Sequence, residues 1–127
     1  MALMREQQAY ALCRIGVAGV WAWHGLVPKL LGPHEDELAI TMAFGFDAAE
    51  ATTIATLAGV GELAFAALLL VTWRQRWPLI ASNLAMSVLL AASLLAVPAL
   101  AVAAFTPVST NLAVIGLGTA ALRLIEP

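Results

Sequence analysis

From Trp77 to Val97 the chain carries no charged side chain. A run of that kind admits few folds, because backbone N–H and C=O groups among apolar side chains must find partners within their own segment. A helix does this with its i to i−4 bonds, and the run matches the roughly 20 residues that cross a bilayer. Three other stretches share the character: about 9–31, interrupted by Arg14, His24 and Lys29; about 51–73, with Glu62 at its middle; and about 106–124, ending near Arg123. The runs are continuous rather than alternating, which argues against strands. Hydrophobic residues make up 62% of the chain and charged ones 11%, against about 25% charged in a soluble domain, so the solvent it was built for is lipid. The expectation is one all-α domain over 1–127, an integral membrane four-helix bundle with the lipid bilayer as its first partner.

The connections fit this division. "RQRW" (74–77) is a tight polar turn closed by Pro78, which suits the first turn of a helix. "ALAVAAFT" (99–106), between Pro98 and Pro107, is too apolar for a solvated loop and should lie in the interface or dip among the helices. Residues 32–50 form the one long polar connection. Within it "EDELAITMAFGF" starts with three acids, which favour a helix N-terminus, and places Leu38, Ile40 and Met42 near one face. A short extracytoplasmic amphipathic helix is predicted there, lying across the mouth of the bundle, with Asp36 or Glu37 near Lys29 in an exposed pair. "LVPKL" and "AVPAL" end the first and third runs, and suggest two hairpins of one topology.

Orientation follows from the basic residues. Arg5, Arg14, Arg74, Arg76 and Arg123 fall on the side of the two termini and only Lys29 on the other, so both termini are expected in the cytoplasm. The first run is expected to be a retained span, since no small-x-small cleavage site follows a short apolar core. Several chemistries have no support. One cysteine, Cys13, excludes a dithiol pair within the chain, and a small apolar role in a helix is expected of it. "HEDE" lacks the spacing that sets two ligands on one helix face, so no metal is expected. A net charge of −2 without a basic stripe gives nucleic acid nothing to bind.

What remains is a set of polar residues in the spans. Glu62 sits near the midplane, where an acid costs on the order of 3 kcal/mol on insertion scales. Ala55, Ala58, Gly59 and Ala66 flank it with small side chains, so it should point into the bundle. His24, Lys29, Glu62 and Asn111 all belong to the outer half, where they could share a cavity for a ligand head group; Ser93 lies at similar depth. The bland alternatives are a His24 that satisfies a backbone carbonyl, a snorkelling Lys29 and an interhelical bond from Glu62. Thr52, Thr56 and Gly59 read as a helix-contact stripe. Trp21, Trp23, Trp73 and Trp77 read as interface residues.

"WHGLVPKLLGPHEDEL", "GVGELAFAALLL" and "AFTPVSTNLAVIGL" together resemble the DoxX-like family of small bacterial four-helix membrane proteins. Trp23, His24, Pro28 and Lys29 match the end of the first helix, Glu37 the loop helix, Gly59 and Glu62 the second helix, and Phe105, Pro107 and Asn111 the start of the fourth. The resemblance implies a multi-pass protein of the bacterial inner membrane and an association with redox enzymes. On that basis a quinone-like or other amphipathic ligand is expected at His24, Lys29, Glu62 and Asn111, with a membrane or peripheral oxidoreductase as partner. A non-catalytic subunit is expected rather than a stand-alone enzyme, because no side chain here carries electrons without a cofactor. The competing readings are a scaffold or assembly factor, and a transporter, which would require a homo-oligomer.

Overall fold

The structure, a computed structural model, describes residues 1–104 and 106–125; the expectation for Phe105 lies outside them. The described residues are helical nearly throughout. Four long helices are α1 (Ala2–Gly25), α3 (Ala48–Val71), α4 (Trp77–Ala96) and α5 (Pro107–Leu124), with the short α2 (Glu35–Ala43) between α1 and α3. A π-helical turn, Leu26–Leu30, prolongs α1, and a 3-10 turn, Pro98–Val102, follows α4. "LVPKL" and "AVPAL" thus take different backbones, so the two pentamers share composition but not conformation.

The helix starts have local causes. Asp47 caps α3 in a reciprocal box: Glu50 N donates to Asp47 Oδ1 (2.8 Å) and Asp47 N to Glu50 Oε2 (2.9 Å). Pro78 lies in the first turn of α4, as its missing N–H favours. Thr106 accepts from Val108 N at the start of α5. Of the described helices, α3 and α4 are long and apolar enough to cross a membrane. Only 22% and 17% of their apolar windows are buried within the protein, so these are not core helices of a soluble domain, which would be mostly covered.

Packing does not follow chain order. α1 lies against both α3 and α5, and α5 against α4, while the consecutive α3 and α4 barely touch. α2 reaches both α3 and α4 and closes one end of the gap between them. The buried face of α3 is Ala51, Ala55, Gly59, Ala66 and Leu69, packed against α1, the π turn and α2. This corrects the threonine stripe: Thr52 and Thr56 are exposed and donate to the carbonyls of Ala48 and Thr52. Their hydroxyls are satisfied locally, which leaves alanine and glycine for the close contact. At its centre Gly25 and Gly59 meet backbone to backbone. A Cβ on Gly25 would stand 2.6 Å from the Gly59 carbonyl oxygen, and one on Gly59 would stand 2.7 Å from that of Gly25.

Trp21 corrects the interface reading in the same way. It is buried, donates from Nε1 to Ser82 Oγ at 2.8 Å, and meets Phe65 edge to face at 4.9 Å, so it joins α1, α3 and α4. Trp23 and Trp77 are exposed as expected.

Candidate functional site

The glycine contact determines where the polar groups meet. The two helices run antiparallel, so Gly25 also faces Glu62 and Gly59 also faces Lys29, and the close approach lets these two long side chains reach one another across the glycine contact. Lys29 Nζ is 3.1 Å from Glu62 Oε2 and 3.2 Å from Glu37 Oε1 on α2. Pro28 has no N–H to return to the carbonyl of His24 four residues back, and Lys29 Nζ also donates to that oxygen, at 3.4 Å. The ammonium group thus bonds to two acceptors and lies within charge-pairing distance of a third. The π turn places the lysine: Leu31 N bonds to Leu26 O five residues back, and the widened turn swings Lys29 inward.

Lys29 is only 7% exposed, which overturns the exposed pair expected at the mouth. Glu62, 12% exposed at its side chain, is largely covered beside it, while Glu37 is more open. One cation therefore faces two carboxylates. The Lys29–Glu62 approach is close in distance but off the hydrogen-bonding direction, so Glu62 Oε2 is charge-paired yet has no aligned donor.

His24, Lys29, Glu62 and Asn111 line one cavity of about 450 Å³, with Glu37, Ile40 and Thr41 of α2 over it and Leu100 of the 3-10 turn in its wall. Leu100 is buried there, so the apolar connection dips inward. The four residues do not play equal parts. Lys29 and Glu62 touch; His24 supplies its carbonyl to Lys29 and its ring to the wall. Asn111 is buried in the α5 wall, and its amide donates to Met86 O at 3.2 Å, tying α5 to α4. Ser93, also in the wall, bonds back to Leu89 O. Among the described residues no group of three or more His, Cys, Asp or Glu could hold a metal. His34 and Asp36 form only an exposed contact with each other.

The residue that sequence reasoning missed is Arg14, taken only as a positive charge beside the termini. It is completely buried. Its Nε donates to Leu69 O (2.6 Å), Nη1 to Tyr10 Oη (2.6 Å) and Gln75 O (3.0 Å), and Nη2 to Thr72 O (2.6 Å) and Thr72 Oγ1 (3.3 Å). The Tyr10 hydroxyl in turn donates to the Trp73 carbonyl. All five guanidinium protons are used, mostly on carbonyls at the end of α3 and in the turn beyond, where a helix favours a cation. A larger cavity, about 630 Å³, opens at this end among Glu6, Gln7, Tyr10, Trp73 and Arg74, but no buried ion pair lines it.

Long helices whose apolar faces point outward, around a buried polar cluster, define a small helical membrane protein. The chain belongs to the DoxX-like family, whose model matches residues 18–119. That stretch includes every residue of the polar cluster but not Arg14. No curated protein and no solved structure matches the chain.

Proposed function

We propose that this protein spans the membrane four times, through α1, α3, α4 and α5, with both termini in the cytoplasm, and binds the polar head of an amphipathic ligand in the cavity beneath α2. Arg5, Arg74, Arg76 and Arg123 at the end that holds the termini support the orientation, while buried Arg14 is left out of that count. The observation that carries the binding reading is Glu62 Oε2, a buried carboxylate oxygen without an aligned donor beside a cavity large enough for a ring-sized head.

The chemistry of that oxygen narrows the ligand. It accepts, so the head must donate, and Lys29 already faces three acceptors. A quinone's carbonyls could reach Lys29 only by displacing a carboxylate, whereas a quinol's hydroxyl could donate to Glu62 directly. The reduced form is therefore the better fit. When bound, such a ligand supplies the two-electron chemistry that no side chain of this chain offers, and the protein serves as the membrane subunit of an oxidoreductase. Lys29, itself paired with Glu37, would hold the Glu62 carboxylate in position, and α2 would exclude water from above.

Purification in mild detergent, followed by mass spectrometry of what copurifies, tests this. Glu62→Gln and Glu62→Leu should both lose the ligand; retention in both removes Glu62 from the site. Reporters fused at the two termini should both read cytoplasmic, and an external one would overturn the orientation. The scaffold reading draws on one observation, the Asn111–Met86 bond, which spends a predicted site residue on packing. It expects no copurifying ligand and no effect of added quinol on the melting temperature.

A further inference from the structure

The gap between α3 and α4 opens on the side of the bundle as well as beneath α2. Its lateral part is an apolar groove of about 310 Å³ lined by Ala58, Gly61 and Phe65 of α3, Ala81 and Ala85 of α4, and Trp21 as its floor. Glu62 and Ala58 line both this groove and the polar cavity, so the two spaces adjoin at the buried carboxylate. Consecutive helices on a short turn usually pack on one another; here Trp21 reaches between them to Ser82, and small residues keep both walls back. The groove faces outward on helices whose apolar windows are mostly uncovered by protein, and so faces lipid in a membrane-spanning chain.

We propose that this groove holds the hydrocarbon tail of the ligand whose head lies at Glu62, and that the ligand arrives sideways from the bilayer between α3 and α4. This rests on the head-site reading above and adds the ligand class: a membrane-dissolved amphiphile with a donating head and a chain long enough to leave the cavity. The continuity at Glu62 supports that single occupant. A head bonded to Glu62 Oε2 stands where the apolar walls begin, with Glu37, Ile40 and Thr41 of α2 also lining the cavity. An annular lipid in the groove with no link to the head is the competing occupant.

Gly61 makes the test clean. It lines the groove, and a Cβ built on it meets nothing within 4 Å, so a larger side chain there fills ligand space rather than colliding with the protein. The full chain in nanodiscs, held anaerobic, is titrated with two hydroquinones of the same ring, one bearing a decyl tail and one a methyl group. Gly61→Leu should weaken the decyl compound about tenfold, the contribution of about two buried methylenes, and change the methyl compound less than about twofold. Ala85→Leu, on the facing wall, should repeat the pattern, and unchanged melting temperatures confirm that both variants fold. If both compounds bind the wild type and Gly61→Leu weakens them equally, or neither, the groove proposal is overturned and the head site stands. If neither compound binds the wild type, the head-site reading falls, and this one with it.

Discussion

Arg14 at one end of the helices and Lys29 at the other are both buried cations, and their surroundings differ in kind. Arg14 meets neutral acceptors with every proton, on a turn and helix end whose carbonyls need a donor. Nothing there is left over, and α1 and α3 are clamped as a result. Lys29 meets two carboxyl groups and a carbonyl, and the cluster keeps an unaligned buried oxygen. A saturated network has no capacity for a ligand; an unsaturated one beside a cavity has. The more heavily bonded of the two cations is therefore the structural one.

Three substitutions sharpen or break that contrast. The largest effect is expected from Arg14→Leu, which strips the donors from Leu69, Thr72 and Gln75 carbonyls together and should cost about 3–5 kcal/mol in a detergent unfolding titration. Ligand retained on the surviving folded fraction should match the wild type; a loss below about 1 kcal/mol would show that the inner end is not the clamp. Lys29→Met is intermediate. It leaves Glu62 buried without its cation, but the acid can take up a proton, so the loss should be about 1–3 kcal/mol. A change indistinguishable from zero would mean that the pair is not formed in the membrane. Glu62→Gln should be smallest in stability, below about 1 kcal/mol, because an amide keeps the shape and can still bond. It should nonetheless abolish ligand copurification, and a large stability loss with ligand retained would reverse the assignment of the two ends.

Parts of the site were legible in advance. Glu37 was expected near Lys29 because three acids open a short helix beyond a cationic helix end, and it is there. Glu62 was expected to face inward because small residues flank it, and Ala55, Gly59 and Ala66 are buried around it. The errors share a cause. Along an almost wholly apolar helix no polar face sets the rotation, so Thr52 and Thr56 were assigned to a contact that belongs to Ala51 and Ala55, one residue away. Trp21 was grouped with exposed tryptophans for the same reason, since only Ser82 and Phe65 on other helices make its position buried.

By itself the sequence determined that the described chain would be helical and that lipid would be the solvent of its long apolar helices. Those properties depend on local composition: unbroken apolar runs, prolines in first turns, an acid-rich helix start, and the cost of unpaired backbone in hydrocarbon. Tertiary structure alone decided that α1 packs between α3 and α5, that Gly25 meets Gly59, and that Lys29 is buried rather than snorkelling. It also decided that Arg14 is part of the architecture and not a charge at the surface. An arginine and a lysine in apolar runs look alike in one dimension, because what distinguishes them is which acceptors a second helix brings within about 3 Å.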